Sequence, residues 1–360
     1  MTSVNIADRR RRLGTALLWG LVLVLTVTAA QRLADGLFQL VWSETPPIDM
    51  AIRWTEVHRW FAGKPVYGGG FAVYPPASYV LLWPMLGWLD LSRARWVSAV
   101  MTLGALGWLA WIAGRESGTR SRAGWVAAAL LPLAIYPARA VMVNGQLALL
   151  LLPPLVAGIL LLERRAPSWR RDMLVAALVL FALTKPTLTA PFVWLLTASR
   201  GWLRPAALIV FGYAGLTMLS AAFQPASLVT LIRQFGAGAV MDAARASSLA
   251  HASLHSWIDA LGLGWGYAPA SLAVLATLGW WTWMARGGDP WVRIGVAALV
   301  ARFWTFHFRY DDMLIVLALV TLLRAVTHRP RGEAVNAAAA VLLALVTASL
   351  LIPARVLFPP

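Results

Sequence analysis

A dozen apolar segments, separated by short loops in which arginine recurs, constrain this chain more than any other feature. They fall near 13–30, 77–91, 94–114, 124–138, 147–162, 172–184, 187–198, 205–222, 267–285, 292–305, 311–325 and 335–352. Of the 360 residues, 60% are hydrophobic and 13% are charged, against about 25% charged in a soluble domain. A water-soluble globule could not cover that much apolar surface with so few polar groups, so lipid must be the solvent for the excess. The expected fold is an all-α polytopic membrane protein, one integral membrane domain over residues 1–360. At roughly 20 apolar residues per span, about eleven or twelve transmembrane helices are expected.

The net charge of +16 raises the possibility of a nucleic-acid partner, but the arginines do not form the stripe that such a partner needs. They sit in clusters between apolar runs, at Arg115, Arg120 and Arg122, at Arg164, Arg165, Arg170 and Arg171, at Arg200 and Arg204, at Arg286 and Arg293, and at Arg324, Arg329 and Arg331. Basic loops of this kind stay in the cytoplasm and meet anionic lipid headgroups. Membrane lipids are therefore the expected surroundings, and nucleic acid is not an expected partner. Arg9 to Arg12 followed by the run Leu13–Ala30 also fits a signal peptide. The run is long enough to span and no convincing cleavage site follows it, so it is read as a retained first helix with its N-terminus cytoplasmic.

The remaining loops then face outward, and two are long, 42–76 and 223–266. The charge rule allows one crossing between the outer loop ending near 76 and the basic cluster at 115, yet two apolar segments lie there. The first, 77–91, is short and contains Pro84, so it is expected to dip in and return, leaving about eleven full crossings. With no cysteine in the chain, disulfide and thiol chemistry are excluded. The histidines are scattered, and neither HExxH spacing nor a DxD pair in the outer loops marks a metal site. No metal or other cofactor is expected.

The unusual polar residues gather in the outward loops. Asp49 precedes an amphipathic stretch, Asp49–Ala62, where it suits either a helix N-cap or a carboxylate base for a hydroxyl acceptor. Lys185 interrupts an apolar stretch of about 27 residues, and a charge at bilayer depth costs several kcal/mol and is by default a functional candidate; snorkelling at a helix end is the competing reading. Lys64 and Lys185 are the two lysines, and both fall on the outward side. His307, Arg309, Asp311 and Asp312 cluster at one helix end, where an ion pair from Arg309 to Asp311 or Asp312 competes with binding of an anion. Gln146 stands at a helix start, either as a local polar cap or as a hydrogen-bonding partner for sugar hydroxyls. The tryptophans read first as interfacial anchors, although Trp54, Trp60 and Trp257 lie in the outer loops and suit stacking on a sugar or a prenyl chain.

Taken in order, these elements resemble glycosyltransferase family 87, polyprenyl-phosphate-dependent enzymes of the GT-C fold. The elements are Asp49, then Gly63-Lys64-Pro65-Val66-Tyr67, Tyr74-Pro75-Pro76, Gly145-Gln146, Lys185-Pro186, and the late segment Trp304, His307, Tyr310 and Asp311. The likeness runs over roughly residues 45 to 325 and rests on the ordered set, each motif alone being weak. One element departs: where the family often has Asn-x-Ser in the second long loop, this chain has His251-Ala252-Ser253.

The resemblance implies a GT-C-like bundle in a bacterial inner membrane with its active site on the periplasmic face. It implies transfer of a sugar, mannose first among them, from a polyprenyl-phosphate donor to a hydroxyl of a lipid or glycolipid acceptor, with inversion. Asp49 would be the general base. Lys185, His307 and Arg309 would bind the donor phosphate, and Lys64, Tyr67, Tyr74, Gln146, His251, His255, Tyr310 and Asp311 would line the substrate site. The rival from another class is a transporter or flippase for a lipid-linked or anionic substrate. Such folds show matching hydropathy repeats and polar groups at the midplane, whereas here no internal symmetry is visible and the polar groups crowd one face.

Overall fold

The computed structural model describes residues 3–67, 72–247, 253–327 and 333–352. Among them the secondary structure is helical without strands, and five helical stretches are long and apolar enough to cross a membrane, Arg12–Val41, Leu91–Glu116, Arg122–Asn144, Leu203–Ala221 and Glu333–Leu351. The protein is an all-α polytopic membrane protein. One end of the bundle gathers the arginine loops; the other gathers the polar residues singled out above.

α1 (Ser3–Val41) runs from the arginine-rich end to the opposite end. α2 (Ile48–Phe61) and α3 (Pro76–Leu86) stay there. α4 (Leu91–Glu116) descends, and α5 (Arg122–Ala134) with α6 (Tyr136–Asn144) returns as one broken pass. α7 (Ala148–Arg164), α8 (Trp169–Ala182), α9 (Pro186–Thr197) and α10 (Leu203–Ala221) alternate in direction. α11 (Leu228–Ser247) and α12 (Leu254–Ala260) remain at the polar end. α13 (Tyr267–Met284), α14 (Pro290–Phe303), α15 (Ile315–Thr327) and α16 (Glu333–Leu351) complete the bundle. Setting aside the four helices that stay at one end and counting α5 with α6 as one leaves eleven helical units among the described residues, five of them long and apolar enough to cross a membrane on their own.

Proline places the breaks. Pro137 has no N–H to give and sits in the first turn of α6, and Ile135, the N-cap two residues before it, takes an extended conformation (φ −76°, ψ 151°), which divides α5 from α6. Lys185 precedes Pro186 and is pushed out of the helical region (φ −122°, ψ 84°), because the proline ring clashes with a helical residue before it. The apolar stretch of 172–198 therefore becomes two helices with Lys185 at their joint. The segment near 77–91 yields α3, whose eleven residues rise about 16 Å, roughly half of a 30 Å hydrocarbon core; it is too short to span.

The two long outward segments are not loops in the main. α2 occupies the first; α11 and α12 occupy the second. α2 is the amphipathic stretch legible at Asp49–Ala62, whereas α11 and α12 occupy a segment read from the sequence only as a loop. α2 is anchored by Trp60, which is fully buried, stacks on Tyr79 with ring centroids 4.3 Å apart and donates its Nε1–H to the Ser220 carbonyl at 2.9 Å. Ser220 Oγ in turn donates to the Pro76 carbonyl at 2.6 Å, and Ser78 Oγ donates to that of Thr184 at 2.8 Å. Trp60 is thus a core residue, and α2 a fixed platform rather than a surface flap.

At the arginine-rich end, buried carboxylates tie the helices together. Glu116 accepts both terminal nitrogens of Arg164, at 2.7 and 2.5 Å, and the Trp291 indole N–H at 2.9 Å, with Arg324 3.7 Å away. Asp172 pairs with Arg171 and Arg204, and Glu163 with Arg293. These clusters join α4, α7, α14 and α15, and α8 to α10, so several arginines read from the sequence as partners of lipid headgroups have carboxylate partners within the protein.

Candidate functional site

Five separate stretches of chain converge on one cavity of about 210 Å³ at the polar end. Asp49, Ile52 and Arg53 come from α2, and Val73 and Tyr74 from the segment leading into α3. Gly145, Gln146 and Leu147 come from the α6–α7 turn, Lys185, Pro186 and Thr187 from the α8–α9 joint, and Phe306, His307, Phe308, Tyr310 and Asp311 from the segment after α14.

Each side chain owes its place to local backbone chemistry. Pro47 occupies the N-cap of α2 and makes no side-chain cap, so Asp49 is a first-turn residue and not the cap itself. Half-buried, its carboxyl faces the Gln146 side chain, with Lys185 and Arg53 as the nearest cations and Asp311 as the nearest anion. Burial raises the Asp49 pKa from its ordinary value, and the Gln146 side chain and the two cations partly offset it. Gly145 ends α6 in the left-handed conformation (φ 66°), with its N–H on the Met142 carbonyl and that of Gln146 on Val141. That turn delivers Gln146, buried, to the head of α7. Pro75 and Pro76 start α3, the second as its first residue, and hold Tyr74 beneath the Arg53 guanidinium, 4.5 Å from the ring centroid.

A short 3₁₀ turn, Arg309–Leu314, presents Tyr310 and Asp311. Asp311 is 2% exposed and accepts from two sides, Lys185 Nζ at 2.8 Å and His307 Nδ1 at 2.9 Å. The ammonium also lies 5.4 Å from the Tyr310 ring centroid. With Nδ1 committed to a carboxylate, His307 Nε2 is left buried and without a protein partner. Burial lowers the His307 pKa, opposed by the Asp311 charge; in a neutral ring that gives its Nδ1–H to Asp311, the Nε2 lone pair is the one that faces no protein donor. The competing pairing of Arg309 with Asp311 or Asp312 is not what forms: Asp312 bonds Arg302 and Tyr136 instead.

Of the residues read from sequence, Asp49, Tyr74, Gln146, Lys185, His307, Tyr310 and Asp311 line this cavity together. Tyr67 stands behind it, its hydroxyl donating to the Tyr74 carbonyl at 2.7 Å. Arg309 is exposed and outside the lining, although Phe308 and Tyr310 on either side are part of it. Lys64 is exposed on the α2–α3 connection and is not in the lining. His255 is buried outside the lining but beside the His307 segment, with Nε2 on Ser271 Oγ at 2.9 Å, Ser271 in turn on the Trp304 carbonyl, and its ring stacked on Tyr267. His251 lies outside the described residues. Neither Trp54, Trp60 nor Trp257 is in the lining.

Sequence reasoning missed Arg53. It is buried, pairs with Glu56 at 2.6 Å and lines the cavity one helical turn after Asp49. The i, i+4 spacing on an amphipathic helix was the available signal. Phe306 and Phe308, which give the cavity an apolar wall, carried no signal in a chain this hydrophobic.

Comparison with known proteins gives one match. The family described as glycosyltransferase family 87 matches over residues 71–308, roughly two-thirds of the chain. The matched span takes in Tyr74, Gln146, Lys185 and His307, and leaves Asp49, Tyr310 and Asp311 outside it. No curated protein and no solved structure matches.

Proposed function

This chain belongs to glycosyltransferase family 87, and on that premise we propose that it moves a sugar, mannose in the first instance, from a polyprenyl-phosphate donor to a hydroxyl of a lipid or glycolipid acceptor. Membership makes it a membrane glycosyltransferase; donor, acceptor and residue roles are our reading of the cavity. One observation supports it above the others: a carboxylate with a raised pKa, a lysine and a histidine from three distant segments line the same small cavity.

In this reading Asp49 takes the proton from the acceptor hydroxyl as that oxygen attacks the anomeric carbon. The bond from that carbon to the phosphate oxygen breaks, and its electron pair leaves with polyprenyl phosphate. The other carboxylate of the lining, Asp311, is tied to Lys185 and His307, which leaves Asp49 as the one to act at the anomeric carbon, so in this reading the displacement is single and inverts the centre. Lys185 has three N–H donors and gives one to Asp311, leaving the others for the phosphate as charge develops there. Arrival of the anion favours protonation of His307, whose Nε2–H then donates to the same group. Gln146 and Tyr310 contact the sugar, and Phe306 with Phe308 face the first prenyl carbons. The site lies on the periplasmic face of a bacterial inner membrane, in keeping with the arginine loops at the other end.

The test is sugar transfer by purified protein in detergent, with a short-chain polyprenyl-phosphate-mannose, a membrane-lipid extract as acceptor, and Asp49→Asn beside wild type. Transfer by wild type that collapses in the variant, with donor binding retained, is the expected result. Full activity in the variant would remove Asp49 from its role, and no turnover of any donor sugar by wild type would sink the transferase reading of this cavity.

A further inference from the structure

A second cavity lies at the arginine-rich end, remote from the first and unused by the reaction. It is a wedge of about 710 Å³ between α1, α5, α15 and α16. The geometry of two helices makes it. α1 is clasped to the end of α16 by Arg32, which donates to the Leu350 and Leu351 carbonyls at 3.4 and 2.5 Å. Towards the arginine-rich end a gap stays open between them, with α5 as its floor. Its walls are apolar: Leu21 and Leu25 from α1, Ala127 and Leu131 from α5, Leu343 and Ala344 from α16.

The mouth differs in chemistry. Arg120 stands there, exposed, beside the N-terminus of α5, and has no hydrogen bond or ion pair among the described residues. The carboxylate nearest in sequence, Glu116, is taken up by Arg164, Arg324 and Trp291. An unneutralised cation at the rim of an apolar slot calls for an amphiphile with an anionic head.

Length selects among amphiphiles. From Ser121 at the mouth to Leu131 at the far end, ten residues of helix rise about 15 Å. One leaflet of a roughly 30 Å hydrocarbon core has the same depth. We propose that this wedge is a binding site for one anionic phospholipid of the surrounding leaflet, one acyl chain lying between α1 and α16 and the phosphate meeting Arg120. The occupied wedge completes the packing of α1 and α16, which otherwise bury little of their surface.

The experiment is native mass spectrometry of the full chain, stripped of lipid in maltoside detergent and titrated with palmitoyl-oleoyl phosphatidylglycerol or phosphatidylcholine. Wild type should take up its first phosphatidylglycerol in preference to phosphatidylcholine by about fivefold, the effect of one basic residue near an anionic headgroup. Ala344→Trp fills the wedge and should lose that first lipid of either kind. Arg120→Gln changes only an exposed side chain, so it folds as wild type does; it should keep the lipid and lose the headgroup preference. A first lipid bound equally well by Ala344→Trp, or a preference undiminished in Arg120→Gln, overturns the proposal. So does a wild-type dimer that Ala344→Trp dissociates, which would make a second copy of the chain the occupant.

Discussion

Lys185 and Asp311 lie 126 positions apart in sequence and meet in a buried ion pair, Nζ to Oδ1 2.8 Å. The pair joins the α8–α9 joint to the 3₁₀ turn before α15, and His307 closes it from the other side. It makes the position of the lysine depend on a carboxylate whose other hydrogen bond, to His307, stays within its own segment.

That dependence can be measured. Asp311→Ala strands a buried ammonium and frees the imidazole, and breaking a buried pair from one side costs about 3–5 kcal/mol. A lowered melting temperature and loss of transfer are expected together. The double variant Lys185→Met, Asp311→Leu should recover much of the stability and none of the activity. Recovery of activity in the double variant would show that the pair only holds the fold.

The pH dependence follows from Asp49. A base must be deprotonated, so kcat/KM is present above its pKa and lost as pH falls through it. Because burial raises that pKa, the acid limb should lie at higher pH than for a solvent-exposed aspartate. Gln146 holds the pKa down, so Gln146→Met should move the limb to higher pH. A limb that stays put in the variant, in a pH series of initial rates, would contradict the contact.

Gly145 tests the backbone of the site. Its φ is 66°, and an added Cβ would collide with Cβ of Met50 and sit 3.1 Å from that of Pro47. Gly145→Ala therefore strains the turn by roughly 1–2 kcal/mol and pushes α2 off the α6–α7 turn. The expected outcome is a large fall in kcat with helicity by circular dichroism unchanged. Wild-type turnover would mean that the approach of Asp49 to Gln146 is not critical.

Glu116 should separate stability from catalysis. It bonds Arg164 and Trp291 at the end remote from the cavity. Glu116→Gln removes the charge from a mostly buried cluster and should lower the melting temperature markedly. Donor KM, measured below that temperature, should stay as in wild type.

Much of this protein is legible in the order of its residues. Apolar runs too numerous for a soluble domain dictate a membrane bundle, whatever the packing, because lipid is the only solvent for them. Pro186 after Lys185 and Gly145 before Gln146 announce helix ends through backbone sterics that act over one or two residues. The same motifs in sequence pointed to seven side chains of the cavity lining before any fold was known. Tertiary structure decided what depends on neighbours distant in sequence. It paired Lys185 with Asp311 rather than leaving a free cation, brought Arg53 into the wall, left Arg309 and Lys64 outside it, and filled the second long outer segment with helices. Local propensity acts within a few residues of chain, whereas a buried charge takes its partner from whichever helices pack beside it, and that choice is made only when the whole bundle closes.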